Sequence, residues 1–406
     1  MIQFARMITR PIWILSLVSL FSDITSEMIY PIMPMYLESI GFTILWIGML
    51  EGLAEAIAGL SQGYFGKASD MAGKRMPFIR LGYALTALSK PIIGFFKDPI
   101  LIFMARSADR FGKGIRTGAR DALLSSETSH FHKGSVFGFH RSMNTIGAVI
   151  GLLCSLGFLY YRPGEYQSLF LISAFPALVS VVLTFFVSDT SVHNKTGHEK
   201  ESAFSFLHYW GKSSIEYKKL VIGLLIFTLF NASDFFLLLK MKHDGLDDVS
   251  IISIYIFYNL VYAVTALPIG IIADRVGLKA MLLLGLMSYA LLYGGMAMLS
   301  GATPFYGLFF LYGIYSASTE GISKAWISNI CDQTDLGTAL GLFHGMQSVM
   351  LMCASIAMGI LWTAFGPETT FLIIGVVTLL VLGYCFTLKN PRGAFIETDN
   401  PDPLKD

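Results

Sequence analysis

The sequence predicts an all-α, polytopic membrane protein whose twelve transmembrane helices form two pseudo-symmetric six-helix bundles. Three observations carry that prediction. The 406 residues are 54% hydrophobic and only 14% charged, with a mean hydropathy of +0.61, whereas a soluble domain averages roughly 25% charged residues. Stretches of about 20 mainly apolar residues, the length that crosses a hydrocarbon core, recur along the chain. The two halves also echo each other at one fixed offset of 204 residues.

The spans follow in order. Arg6 and Arg10 precede the apolar run WILSLVSLF, which could imitate a signal peptide. The run continues past Asp23 and Glu27 with no small-x-small cleavage site after it, so it reads as a first span. Six spans are expected at about 12–38, 44–66, 77–96, 99–123, 135–160 and 168–187. Six more are expected at about 218–240, 249–272, 279–300, 303–328, 336–363 and 368–388. The fourth is too charged to be read from hydropathy; it counts because the loops on either side require a crossing. Residues 1–190 thus form one half, 191–217 a cytoplasmic linker, 218–390 the second half and 391–406 a tail.

Basic residues concentrate in the loops on one side, among them Lys67, Lys74, Arg75, Lys133, Arg275, Lys279 and Arg392. By the positive-inside rule that side is cytoplasmic, and both termini lie there. A bacterial inner membrane is the expected location.

The net charge of +1 says nothing about nucleic acid, but no Lys/Arg run resembles a nucleic-acid patch, so no nucleic-acid partner is expected. Cys154, Cys331, Cys353 and Cys385 form no CxxC or Cys/His cluster, so neither a disulfide frame nor a metal site is indicated. The chain carries no Walker loop and no HExxH, and its one G-x-S-x-G match, GLSQG at Gly59–Gly63, falls inside the expected second span rather than at a strand-to-helix turn. An ATP-driven pump, a zinc hydrolase and a serine hydrolase are therefore unsupported, and no cofactor is expected.

The repeat is concrete. GKASDMAGKR (Gly66, Asp70, Gly73, Arg75) follows the second span, and GIIADRVGLK (Gly270, Asp274, Gly277, Lys279) follows the eighth. The same offset joins Phe139-His140 to Phe343-His344 and Arg120 to Lys324. Two parallel halves follow, an arrangement in which substrate binds near mid-membrane between them.

GKASDMAGKR resembles the cytoplasmic loop signature G-x-x-x-D-x-x-G-[RK]-[RK] of the major facilitator superfamily, and Arg110-Phe-Gly-Lys-Gly114 resembles its fourth-span R-x-x-x-G element. The resemblance extends over nearly the whole chain through span count, orientation and repeat. It implies a secondary transporter that works as a monomer, with the first, fourth, seventh and tenth spans lining a central cavity. Many exporters of the family carry a Gly-Pro-rich fifth span; here Gly147-Ala-Val-Ile-Gly151 lacks the proline. The loop residues Gly66, Asp70, Gly73, Arg75, Asp274 and Gly277 read as a cytoplasmic gate. Glu320 and Lys324, four apart near the end of the tenth span, join them.

A charge at a helix centre costs about 2.5–3.5 kcal/mol even on the lower insertion scale, so charges inside spans must pair, face a wet cavity or lie near the ends. Asp23 and Glu27, in SLFSDITSEMIYP, fall midway along the first span and share a face. Two carboxylates there are not comfortably ionised together, which makes one a natural proton carrier. The alternative is a pairing with a basic residue of the fourth or fifth span. Pro31 and Pro34 should bend the helix just beyond them. On the fourth span Arg106, Arg110 and Lys113 stack along one side, with Asp109 able to offset Arg106 or Lys113. Arginines facing a cavity can fork onto a carboxylate or phosphate; an internal ion-pair network is the competing reading. Glu51 and Glu55 could line an outer vestibule or pair with Lys90 or Arg106. The fifth span offers His140, Arg141 and Asn144, the eleventh His344 and Gln347, and the seventh Asn231 and Asp234 at mid-helix.

The expected function is proton-coupled movement of a small polar, anionic organic solute (an organic acid, an amino-acid-like solute or a carboxylate siderophore), with uptake favoured. The alternative is a drug or cation/proton antiporter. Asp23, Glu27, Asp109 and Asp234 are the candidate proton-coupling acids. Arg106, Arg110, His140, Arg141, Asn144, Asn231, His344 and Gln347 are the candidate substrate ligands.

Overall fold

The computed structural model describes residues 9–127, 133–188, 209–331 and 336–388, all helices and their connections, with no strand among them. The expected linker is therefore described from residue 209 onward, and the expected tail lies outside the described residues.

In chain order the first half comprises α1 (Arg10–Ile29), α2 (Met33–Ser39), α3 (Ile44–Ala72), α4 (Met76–Phe95), α5 (Pro99–Ser126), α6 (Lys133–Tyr161) and α7 (Tyr166–Thr184). A short α8 (Tyr209–Lys212) leads into the second half: α9 (Ile215–Leu229), α10 (Phe235–His243), α11 (Asp248–Val276), α12 (Leu278–Met298), α13 (Ala302–Ile330) and α14 (Leu336–Thr387). Seven of these helices are long and apolar enough by themselves to cross a membrane.

Two expected spans are broken. The first stops at Ile29 and resumes at Met33, because neither Pro31 nor Pro34 can donate the backbone bond that would continue the helix. The seventh stops at Leu229 and resumes at Phe235. Asn231 and Asp234, expected at mid-helix, therefore sit in a non-helical break. The intervening sequence FNASD is rich in side chains that compete with helical hydrogen bonds. Conversely, the eleventh and twelfth spans run together as α14, turned at Gly366, whose φ of 79° suits a residue without a Cβ, with Pro367 following. Gly73 and Gly277, the repeated loop glycines, take φ of 62° and 104°. The loop signature thus places glycine where the chain must turn between packed helices.

Within the first half α1 packs on α6 and α7, and α5 on α3 and α4; within the second, α13 packs on α11 and α12, and α12 on α14. Gly147 and Gly151 of α6 face the backbone carbonyls of Leu20 and Ile24 so closely that a Cβ would not fit. The stretch GAVIG is thus a small-residue seam against the helix that carries Asp23.

The halves meet through α3 on α14, α6 on α11 and α2 on α10. Their contacts are tight at the end away from the termini. Gly48 and Gly52 abut Ser355 and Met352, and Gly359 abuts Ile44 and Leu45. Tyr30 packs on Phe235 at 5.1 Å between ring centroids, and Tyr166 donates to Asp248 at 2.5 Å. The buried core there is continuous across both halves, from Ile32 and Met33 to Phe235 and Phe236. Towards the terminus end the first half has a separate core of its own, built on Leu15, Ile79, Tyr83 and Leu123. Among the described residues the two bundles share one core at the end away from the termini, whereas towards the termini the first half keeps a core of its own.

Candidate functional site

Between the bundles lies a cavity of about 430 Å³. A smaller space of about 70 Å³ adjoins it through the shared side chain of Tyr30, at the break of the first span. The larger cavity runs from Asp234 and Asn231, at the break of the seventh span, towards Ser323 and Lys324 near the terminus end of α13. Broken helices at matching places in two halves commonly expose polar groups to a transport site.

The first-half wall holds an ion network. Lys90, fully buried on α4, donates to Asp109 Oδ2 at 2.8 Å. Arg106 reaches Glu51 Oε2 at 3.0 Å and Asp109 at 3.5 Å. Arg110 reaches Glu51 Oε1 at 3.0 Å and Glu55 Oε1 at 3.2 Å. Three cations and three carboxylates balance, and charge-assisted hydrogen bonds replace the hydration each gave up. The Arg106 guanidinium also lies 5.7 Å from the ring centroid of Phe235 on α10, tying the network to the second half.

This geometry corrects the reading of the fourth span. Arg106 and Arg110 border the smaller space, but their charges are met by Glu51 and Glu55 rather than by Asp23 and Glu27. Asp109 is likewise held by Lys90 and Arg106 and does not stand free as a proton site. Glu51 pairs with Arg106, one of the two expected alternatives, while Glu55 pairs with Arg110 and also lines the larger cavity.

Lys113 is different. It is exposed, borders the same space as Glu27, and its side chain makes no ion pair or hydrogen bond among the described residues. One turn onward Arg116 is buried under the Tyr83 ring, 4.6 Å from its centroid, and donates to the hydroxyls of Thr86 and Ser22. Asp23 and Glu27 are each half-buried, and neither has an ion-pair partner among the described residues.

The remaining first-half candidates lie away from the cavity lining. Both ring nitrogens of His140 sit 3.3 Å from serines of α1, Ser16 and Ser19. That buried imidazole fastens α6 to α1 rather than facing solute. Arg141 donates to the Tyr262 hydroxyl on α11 at 3.2 Å, a bond between the halves. Asn144 is half-buried, its Oδ1 without a hydrogen-bond partner among the described residues.

The second-half candidates do line the cavity. Asn231 donates to the Tyr315 hydroxyl at 2.8 Å. His344 Nδ1 and Gln347 Oε1 are 3.2 Å apart. The Asp234 carboxylate accepts from the Tyr312 hydroxyl and has no cationic partner among the described residues. The tyrosines around it were not anticipated. Tyr258 stacks on Tyr312 at 4.4 Å and Tyr312 on Tyr315 at 5.8 Å. Their spacing was the available signal, since Tyr255 with Tyr258 and Tyr312 with Tyr315 are i, i+3 pairs that share a helix face.

Of the expected gate, Arg75 donates to the Ala122 carbonyl at 2.7 Å, bracing the α3–α4 turn against α5. Lys324 is exposed on the cavity wall. Gly66 lies within α3, and the side chains of Asp70, Asp274 and Glu320 are outside what the structure describes.

Comparison with known proteins agrees with this architecture. The model of the Major Facilitator Superfamily matches residues 15–257 and 220–403. An uncharacterised transporter of that type from Methanocaldococcus jannaschii is 32% identical over 381 residues, covering 92% of this chain and 94% of the relative. A probable galactarate/D-glucarate transporter of Bacillus subtilis is 27% identical over 149 residues, 35% of this chain and 33% of its own. Among solved structures, the nucleoside transporter NupG superposes with a TM-score of 0.78 at 13% identity, covering 94% of this chain and all of its own; at that identity the likeness is one of fold. With a family match along nearly its whole length and the broken, two-bundle architecture around a central cavity, the chain belongs to the Major Facilitator Superfamily, an integral membrane transporter and not an enzyme.

Proposed function

We propose that the chain is a proton-coupled secondary transporter that takes up a small organic anion through alternating closure of its two halves. The observation that carries this reading is Lys113. Its side chain is a cation without a partner among the described residues, beside Lys90, Arg106 and Arg110, which pair with carboxylates, and Arg116, which is held by the Ser22 and Thr86 hydroxyls. A carboxylate arriving beside it gains a charge-assisted hydrogen bond without breaking an existing pair. Glu27 borders the same space, so a proton on it and an anion at Lys113 would favour each other, which is the coupling a symporter needs. The partial likeness to a probable galactarate/D-glucarate transporter supports an acidic solute. Gly147 and Gly151 act as a packing seam, without the proline that marks many exporters. On this reading one chain in a bacterial inner membrane is one transport unit. With both termini cytoplasmic, the cavity faces inward.

The test is flux into proteoliposomes under an imposed proton gradient, with organic anions screened against cationic dyes. Lys113→Ala should raise the half-saturating anion concentration at least tenfold. Glu27→Gln or Asp23→Asn should uncouple flux from the gradient. Unchanged anion affinity in Lys113→Ala refutes the anion site, and full gradient dependence in both acid variants refutes the proton-carrier assignment.

A drug or cation/proton antiporter is the second reading, favoured by Asp234, which stands among tyrosines with no cation beside it among the described residues. Dye efflux driven by inward proton flow, with no anion flux under either gradient, would establish it instead.

A further inference from the structure

Two adjoining spaces present charges of opposite sign from the two halves, neither in an ion pair among the described residues: Lys113 of α5 borders the smaller space, together with Glu27 and Arg116, and Asp234 at the N-terminal edge of α10 lines the larger. An anion site alone gives no reason for Asp234. A bare carboxylate facing a bound anion repels it, and nothing in the first-half ion network reaches across to neutralise it. Nor is Asp234 occupied as a helix cap, since its side chain accepts no capping hydrogen bond from α10. One phenol, Tyr312, orients it, and that phenol is fixed by stacking between Tyr258 and Tyr315. Asn231 beside it is pinned to Tyr315 in turn. The second-half wall is thus a rigid aromatic frame holding one acceptor towards the cavity, with lone pairs left over after the single Tyr312 donation.

We infer that the solute is an acid that also carries a hydrogen-bond donor, a hydroxyl or an ammonium group, which Asp234 accepts while Lys113 holds the acidic end. The inference rests on the anion reading above and narrows its substrate class to hydroxy- or amino-carboxylates. Plain carboxylates are disfavoured because they leave the remaining lone pairs of a half-buried acceptor unmet, and a site built to accept a bond discriminates strongly against the analogue that lacks the donor. Each half then grips one end of the solute, so both must be engaged before the bundles can close on it.

Two matched sets of acids test this with the full-length protein. Succinate, malate and aspartate differ at one carbon in bearing hydrogen, hydroxyl or ammonium; tricarballylate and citrate differ in one hydroxyl. Competition against transported anion, or calorimetric binding in detergent, should rank at least one donor-bearing acid tenfold or more above its plain partner. Preference for malate and citrate assigns a hydroxyl, and preference for aspartate assigns an ammonium. Asp234→Ala should erase the preference by bringing the donor-bearing acids to the level of their plain partners, Tyr312→Phe should weaken it, and Lys113→Ala should weaken all the acids together. Equal binding of the plain and substituted acids, or a preference that survives Asp234→Ala in protein of wild-type gel-filtration profile, overturns the inference and leaves the anion reading intact. Binding of none of the acids overturns the anion reading and the inference with it.

Discussion

Replacing Lys90 with methionine keeps the length of the side chain and removes its charge. Lys90 is fully buried, and its Nζ lies 2.8 Å from Asp109. The network then changes from three cations against three carboxylates to two against three. Breaking a buried pair by removing one partner costs about 3–5 kcal/mol, because the remaining charge has neither water nor a counter-ion. Here Arg106 stays 3.5 Å from Asp109, which places the expected loss near the lower bound, at about 3 kcal/mol. That is roughly a hundredfold in the folding equilibrium. The assay is a double-mutant cycle of Lys90→Met and Asp109→Asn, followed by thermal or denaturant unfolding in one detergent. Asp109→Asn in the Lys90→Met background should restore most of the loss, since a neutral pair no longer strands a charge. The reasoning fails if Lys90→Met is as stable as the parent, or if the two single effects simply add.

Two further outcomes are expected. Gly52 of α3 faces the Met352 carbonyl, and a Cβ there would fall 2.7 Å from it, so Gly52→Val should wedge the sealed end by about 1–3 kcal/mol of overpacking. A cysteine at Phe236, in a background lacking the four native thiols, should then react faster with an impermeant maleimide, and an unchanged rate would count against the seal. Asp247 begins α11 by accepting from the Ser250 hydroxyl and, at 3.3 Å, from its backbone N–H. Ser250 thereby holds the Asp247 carboxyl below its usual range. A depressed folded-state value contributes stability above the unfolded pKa of about 3.9 and loses it as the pH falls through the folded one. Asp247→Ala should cost about 1 kcal/mol near neutral pH, with the gap from the parent closing below about pH 4; a gap independent of pH would remove the cap from the account.

The architecture was legible because it follows from lipid and repetition. Apolar runs of membrane-crossing length give the helices, and loop lysines and arginines give an expected orientation. The offset linking Gly73 to Gly277 anticipated two turns that require a left-handed glycine. The break of the first span could be anticipated from Pro31 and Pro34. That of the seventh could not, because FNASD differs from ordinary helical sequence in propensity alone, a weak signal that surrounding packing overrides.

The site was legible in kind but not in pairing. The sequence by itself determined that many charges lie within the spans and must be compensated or wet, since hydrocarbon tolerates nothing else. It could not say which cation meets which acid, because pairing depends on the rotation and depth of helices distant in sequence. Tertiary structure decided that Glu51 and Glu55 neutralise Arg106 and Arg110. It likewise decided that Lys90 holds Asp109, that Lys113 borders the smaller space beside Glu27, and that Asp234 lines the larger, neither of the two in an ion pair among the described residues. That division follows from the physics: the cost of burying a charge belongs to the residue and its span, whereas its compensation belongs to the fold.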